Sequence, residues 1–142
     1  MDYSYIIIPI IVGITSQALK LLTDGIKGNF DIKNLFSSYG GMPSSHTAFS
    51  VSITTLVGLR LNFDSAMFAI ALVFTILIMR DAVAFRGILG KQAKLFNQLV
   101  KKITPGEKKI APHFRERIGH STSEVFGGII WGIGLTYFLN LL

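Results

Sequence analysis

Four apolar segments constrain the fold more than any other feature of this sequence. They cover residues 5–22, 47–63, 65–80 and 124–142. An α-helix needs about 20 residues to cross the hydrocarbon core of a bilayer, so the middle two segments are short. We expect these two to form a hairpin that turns at Asn62-Phe63-Asp64, with ends that snorkel or thin the bilayer.

Charge and cysteine content support a membrane location. Half of the 142 residues are hydrophobic and 15% are charged, whereas soluble domains carry about 25% charged residues. The N-terminal stretch MDYSYIIIPIIVGITSQALKLL lacks the basic region and the cleavage site of a signal peptide, so we expect it to stay as the first membrane helix. Without cysteine, the chain offers neither a disulfide framework nor a thiolate metal site.

A polar stretch, residues 81–120, separates the third apolar segment from the fourth. Within it, GKQAKLFNQLVKKI places Ala93, Phe96, Val100 and Ile103 on one helical face. The lysines lie largely elsewhere, which favours a helix lying along the lipid surface. The sequence thus predicts a single all-α domain, residues 1–142. We expect an integral membrane helical bundle with about four transmembrane helices plus one interfacial amphipathic helix.

The distribution of basic residues predicts the orientation of this bundle. Of the 14 Lys and Arg residues, 13 lie in or beside residues 20–46 and 80–120, and only Arg60 lies toward the opposite helix ends. Four spans place both basic regions on one side, which the positive-inside rule makes cytoplasmic. We therefore expect a protein of the cell (inner) membrane with both termini outside. Contact with anionic lipid accounts for these charges, so nucleic acid is not an expected partner.

Two histidines fall at the cytoplasmic mouths of predicted spans. His46 opens the second span and His120 the fourth, and Glu124 would share a helix face with His120. A carboxylate that accepts a proton from one ring nitrogen fixes the tautomer and leaves the other nitrogen free to attack. His46 could then protonate a leaving oxygen as a general acid. These residue types predict phosphoryl transfer through a phosphohistidine, without a metal or another cofactor.

Cations and backbone N–H groups nearby predict an anion site. The turn at residues 40–45 opens a helix, and its N–H groups can face an anion. We expect the phosphate to be bound by Lys20, Ser44, Ser45 and Arg86, with Arg80, Arg115 and Arg117 as further nearby cations. Asp81, Gln92 and Asn97 are candidates to support these ligands from behind.

Each motif also has a structural explanation that the sequence leaves open. Ser121 and Glu124 match the capping box S-x-x-E, and Pro43 with Ser44 is a routine helix start. Gln17 and Lys20 could simply extend to the interface. Close helix packing would explain four glycines: Gly127, Gly128, Gly132 and Gly134. A divalent cation could instead be held by Asp81, His46, His120 and Glu124.

Three sequence blocks resemble a known family. PSSH, residues 43–46, followed by an apolar helix, resembles the P-S-G-H motif of the type 2 phosphatidic acid phosphatase superfamily, which includes the vanadium-dependent haloperoxidases. HSTSE, residues 120–124, resembles the end of its last motif, His-x3-Asp, with glutamate for aspartate. Nearly the whole chain resembles a divergent membrane branch, the YuiD-like proteins, through GGMPSSHTA, RDAVAFRGILGKQAKLFNQL and GHSTSEVFGG.

The resemblance implies the same three roles for His120, His46 and Glu124: nucleophile, general acid and orienting carboxylate. The sequence departs from the superfamily pattern at two places. Lys27-Gly28 follows Lys20 where Lys-x6-Arg-Pro is expected, and His113-Phe114 stands where Ser-Arg is expected. The missing cation would have to come from Arg86, Arg115 or Arg117. The superfamily core also has more helices than this chain offers, and a homodimer is one way to complete it.

These observations together predict a membrane lipid-phosphate phosphatase. Its substrate would be a lipid phosphomonoester on the cytoplasmic side, such as phosphatidylglycerophosphate or phosphatidate. The missing arginines favour an alternative, a transporter or binding protein for lipid phosphate or polyprenyl phosphate that does not hydrolyse it. A metal-dependent hydrolase is the third interpretation. A haloperoxidase is not expected, because a vanadate site needs the full cationic cage.

Overall fold

The structure, a computed structural model, describes residues 3–23, 41–103, 114 and 121–142, without the side chains of residues 21–23 and 86. Within these ranges every regular element is helical. The helices are α1 (Ser4–Thr23), α2 (Ser45–Leu61), α3 (Ala66–Arg80), a π-helical segment (Asp81–Phe85), α4 (Arg86–Ile103) and α5 (Thr122–Asn140). The predicted all-α fold is confirmed for the described part of the chain.

Helix α2 lies at the centre and packs against α1, α3 and α5. Near its start, the Ser45 hydroxyl donates to the side-chain oxygen of Gln17, late in α1, at 2.5 Å. Near its end, the Arg60 guanidinium lies 5.5 Å from the ring centre of Tyr5, early in α1. Helices α1 and α2 are therefore antiparallel.

Helix α5 runs parallel to α2. The Ser44 N–H donates to the carbonyl oxygen of Glu124 at the start of α5, at 2.9 Å. At the other end, Arg60 Nε donates to Asn140 Oδ1 at 2.7 Å. The starts of α2 and α5 therefore meet at the same end of the bundle as the end of α1. We call this the polar end, and it is the arrangement that charge counting predicts for the two histidine motifs.

Glycines allow α2 and α5 to approach closely. A Cβ on Gly128 would lie 2.6 Å from the carbonyl oxygen of Ser44, and one on Gly132 would lie 2.8 Å from that of Ala48. Side chains at these positions would force the two backbones apart. The packing explanation is thus confirmed for Gly128 and Gly132. It does not apply to Gly134, where a Cβ would meet no described residue within 4 Å.

The α2–α3 hairpin turns where the sequence predicts it. Helix α2 ends at Leu61, and Asn62 adopts a positive φ of 70°, which takes the backbone out of the helix. The Ser65 hydroxyl donates to the carbonyl oxygen of Asn62 at 2.8 Å and accepts from the N–H of Phe68 at 3.2 Å. Ser65 therefore closes the turn and caps α3 at once.

Buried hydroxyl groups join the helices away from the polar end. Thr54 and Thr75 bond to each other at 2.8 Å, between α2 and α3. The Thr136 hydroxyl donates to Ser52 Oγ at 2.6 Å, between α5 and α2. Polar groups inside a membrane bundle must find protein partners, because lipid supplies none. These bonds meet that requirement and fix the register of the three helices.

The third apolar segment continues past its predicted end. Residues Ala66–Ile103 form one run of 38 helical residues, with the π-helical segment in its middle. By length and composition, this run is the one helix among the described residues that could cross a membrane, and Ser4–Lys20 is a shorter apolar helix. The predicted number of four spans stays a prediction.

Many large apolar side chains on α1 and α3 point away from the bundle. Ile6, Ile14 and Phe74 are each more than 60% exposed, and the core consists of a few residues around Ile8 and Leu56. Exposed apolar area of this extent is unusual for a soluble protein. An outer surface of this kind favours lipid surroundings.

The apolar residues that the sequence predicts on one face of α4 differ in their burial. Ala93 is buried, 9% exposed, whereas Phe96 is 49% and Ile103 is 76% exposed. At 100° per residue these three residues lie within about 80° of one another, so the predicted face contains both buried and exposed residues. The pattern of apolar residues alone could not distinguish them, because it does not show which side the rest of the chain covers.

Candidate functional site

The polar end brings the two histidine motifs together through the backbone. The Ser44 N–H of the PSSH motif donates to the Glu124 carbonyl oxygen of the HSTSE motif at 2.9 Å. Gly128 permits this contact, because the absence of a side chain leaves room for the Ser44 carbonyl oxygen. The starts of α2 and α5 are therefore held side by side, although the two motifs are far apart in sequence.

Ser44 begins α2 as its N-cap residue. Its hydroxyl oxygen accepts from the N–H of Thr47 at 3.4 Å and from the Thr47 hydroxyl at 3.0 Å, and its side chain is fully buried. The predicted helix start at Pro43-Ser44 is confirmed. Ser44 thus uses both groups inside the protein, because its hydroxyl caps α2 and its N–H joins the start of α2 to α5.

Helix α1 contributes a buried cation to this end. Val12, Ser16 and Lys20, one turn apart, are all buried, and Lys20 is 6% exposed. Ser45 ties this stripe to the start of α2, because it donates to Gln17 at 2.5 Å and accepts from the Ser16 hydroxyl at 3.5 Å. Lys20 lies one turn beyond these contacts. A buried ammonium group is stable only beside negative or polar groups.

The start of α5 is organised by a capping box. The Ser121 hydroxyl accepts from the Glu124 N–H at 3.3 Å, and Glu124 Oε2 accepts from the Ser121 N–H at 3.0 Å. The capping explanation of Glu124 is confirmed. The box engages one carboxylate oxygen of Glu124, and α5 begins at Thr122 after the extended Ser121, so the predicted shared helix face of His120 and Glu124 does not apply. His120 itself lies outside the described residues, as do Arg115 and Arg117.

His46 lies in the first turn of α2 with its side chain exposed. It follows Ser44 by two residues, so it is at the same helix start as the contact between the two motifs. In the described part of the chain, no three His, Cys, Asp or Glu side chains lie close enough together to hold a metal ion. His120, which the metal interpretation needs, is outside that part.

The remaining predicted residues lie on or beside α4. Asp81 begins the π-helical segment, which contacts α5, and the Arg86 side chain is outside the described part. Gln92 is exposed on α4, and the described part of α4 packs little against α1, α2 or α5. The structure therefore does not place Gln92 with the residues of the polar end.

Asn97 has a different partner from the one expected. Its side-chain nitrogen donates to the Phe114 carbonyl oxygen at 2.7 Å, and its side-chain oxygen accepts from the Phe114 N–H at 2.9 Å. Asn97 is 4% exposed, and the Phe96 and Phe114 rings pack edge to face at 4.8 Å. Asn97 thus fixes the backbone at Phe114.

Sequence reasoning missed two features of this end. For Gln17, the sequence predicts only a side chain that extends to the interface. The neighbouring polar residues Ser16 and Lys20, which are four positions apart, indicate that this side of α1 faces inward. The π-helical segment at Asp81–Phe85 had no sequence signal. Such segments are rare and are frequent at functional sites.

The fold and this end define an all-helical protein with an apolar outer surface and a two-motif polar end. A family model described as "Divergent PAP2 family" matches residues 1–135. The chain belongs to this family, as the sequence blocks predict. It is similar to "Uncharacterized membrane protein YuiD" of Bacillus subtilis (strain 168), with 38% identity over 117 residues, 75% of this chain and 74% of the relative. No solved structure matches the chain.

Proposed function

We propose that the protein is a lipid-phosphate phosphatase of the cell (inner) membrane that hydrolyses a phosphomonoester through a phosphohistidine. The hydrogen bond from Ser44 to Glu124 carries the proposal. This bond holds the start of α2, which bears His46, against the start of α5. His120 directly precedes Ser121, the residue that caps α5. Membership of the Divergent PAP2 family supports a phosphatase-related function.

In the first step, a ring nitrogen of His120 attacks phosphorus and the bond to the lipid oxygen breaks. His46, protonated, gives its proton to the leaving alkoxide. In the second step, water attacks phosphorus, His46 takes the proton from that water, and the phosphorus–nitrogen bond breaks to release phosphate. Glu124 would accept the other ring N–H of His120 and keep the attacking nitrogen unprotonated.

The buried Lys20 ammonium and the N-terminus of α2 would stabilise the charge on the phosphoryl oxygens. Such fixed positive groups contribute most in a site from which water is excluded. Ser45 would orient this region through its bonds to Gln17 and Ser16. Arg86 would supply the cation that the superfamily places before its last histidine.

The substrate follows from the side of the membrane. Positive charge near the polar end favours a cytoplasmic site with both termini outside. A lipid phosphate made in the inner leaflet then fits, such as phosphatidylglycerophosphate or phosphatidate.

The proposal is tested by phosphate release from these lipid phosphates by purified protein, with EDTA in the assay. The chain has three histidines, so His113→Ala is a matched control for His46→Ala and His120→Ala. We expect turnover in EDTA that is lost at least about 100-fold in the two site variants, as for loss of a general acid or more, and kept in the control.

Two other outcomes would assign a different function. Turnover that stops in EDTA would indicate the metal-dependent hydrolase. Folded protein that binds the lipid phosphates without turnover would indicate the transporter or binding protein for lipid or polyprenyl phosphate, which the missing arginines favour. In that case His120→Ala would weaken binding.

A further inference from the structure

Helix α4 extends beyond the membrane span that it continues. At 1.5 Å per residue, α3 is about 22 Å long and the whole run Ala66–Ile103 is about 57 Å long, whereas the hydrocarbon core is about 30 Å thick. The charged pair Arg80-Asp81 marks the boundary between α3 and the rest. Helix α4 therefore lies outside the hydrocarbon core when α3 crosses it, and the π-helical segment is the place where such a helix can change direction.

The side chains of α4 fall into three sectors at about 100° per residue. The apolar sector is exposed, and its residues are Ile88, Leu89, Leu95, Phe96, Leu99 and Ile103, each 49–76% exposed, together with Gln92. The lysine sector lies beside it, with Lys91, Lys94, Lys101 and Lys102, all exposed. The buried sector contains Gly90, Ala93 and Asn97.

The exposed apolar sector must be buried against protein or lipid, because six large apolar side chains on one side of a helix are costly in water. The lysine sector indicates which of the two buries it. Helix α4 contains four lysines and Arg86 but no acidic residue, so it repels a second copy of itself and attracts an anionic surface. An apolar strip flanked by lysines is the pattern of a helix embedded at the headgroup level of an anionic bilayer.

We propose that α4 docks on the surface of an anionic bilayer, with its apolar sector inserted and its lysine sector against the headgroups. The buried sector then faces away from the lipid surface, and Asn97 in it carries Phe114. Docking therefore also sets the position of Phe114. The proposal does not depend on the phosphatase activity.

The chain has no cysteine, so a single introduced cysteine can carry a nitroxide label at one chosen position. Leu99→Cys places the label in the apolar sector, and the adjacent Gln98→Cys places it beside the lysines as a matched control. Both labelled proteins are reconstituted in bilayers of phosphatidylcholine alone and of an equimolar mixture with phosphatidylglycerol. The accessibility of each label to oxygen and to a water-soluble nickel chelate is then measured.

We expect the Leu99 label to be accessible to oxygen and protected from nickel in the anionic bilayer, and the Gln98 label to remain accessible to nickel. Replacing all four lysines by glutamine should remove the difference between the two bilayers at Leu99. A Leu99 label as accessible to nickel as the Gln98 label would overturn the proposal. So would a Leu99 label shielded from both reagents, because protein and not lipid would then cover the apolar sector.

Discussion

The contact between the starts of α2 and α5 can be tested with one methyl group. Gly128→Ala would place a Cβ 2.6 Å from the Ser44 carbonyl oxygen and 2.9 Å from Thr47 Cβ. Ordinary contact begins near 3.4 Å, so the two backbones must separate by about 0.8 Å. Gly134→Ala, in the same helix, meets nothing within 4 Å in the described part of the chain and is the matched control.

The expected energies follow from these distances. Overpacking costs about 1–3 kcal/mol, and both variants gain up to about 1 kcal/mol because alanine favours helix over glycine. The gain cancels in the comparison. Gly128→Ala should therefore be less stable than Gly134→Ala by about 1–3 kcal/mol.

Activity should respond more strongly than stability. A displacement near 1 Å in a reacting site can lower the rate about 100-fold, so Gly128→Ala should lose up to that factor in phosphate release while Gly134→Ala keeps the parent rate. Unfolding free energies come from SDS titration in mixed micelles, and rates come from the same preparations. Equal stability and equal activity of the two variants, within about 0.5 kcal/mol, would show that the close α2–α5 approach is not the feature that holds the motifs together.

Two further predictions concern hydrogen bonds. Asn97→Ala leaves both backbone groups of Phe114 without their partner, so it should lower the free energy of unfolding by about 1–3 kcal/mol. The control Gln98→Ala, one residue along on the exposed side, should change it by less than about 0.5 kcal/mol. Equal effects in the same SDS titration would show that the two bonds from Asn97 to Phe114 do not stabilise the fold. Thr136→Val removes the donor to Ser52 without changing the shape, so it should cost about 0.5–2 kcal/mol. A double-mutant cycle with Ser52→Ala should show coupling, and strictly additive losses would refute that bond.

Local sequence determined several features that could be predicted. The hairpin at Asn62 and the helix starts at Ser44 and Ser121 each depend on side chains within one turn of the backbone they bind. Hydroxyl and carboxylate groups at such spacing satisfy the same N–H groups in most folds. These features therefore do not require knowledge of the tertiary packing.

Features set by distant contacts could not be predicted in this way. The bond from Ser44 to Glu124 is made by the backbone, so no pair of side chains in the sequence indicates it. Only the small residue Gly128 indicates that α2 and α5 approach closely. The continuation of α3 into α4 was missed because Arg80-Asp81 resembles a membrane boundary, yet the residues that follow contain no proline to stop the helix. Which side of α4 is buried depends on tertiary contacts, such as the two bonds between Asn97 and Phe114. The catalytic and phosphate-binding roles of the site residues stay predictions.

The bond from Ser44 to Glu124 joins residues 80 positions apart in the chain, and this separation has a consequence for biosynthesis. Because chains emerge N-terminus first, α1, α2 and α3 are made before the partner of Ser44 exists. A ribosome-bound intermediate can pair Gln17 with Ser45 but cannot yet align the two motifs. The polar end is thus completed only once α5 has been made, so a chain that stops before α5 lacks the contact between the two motifs.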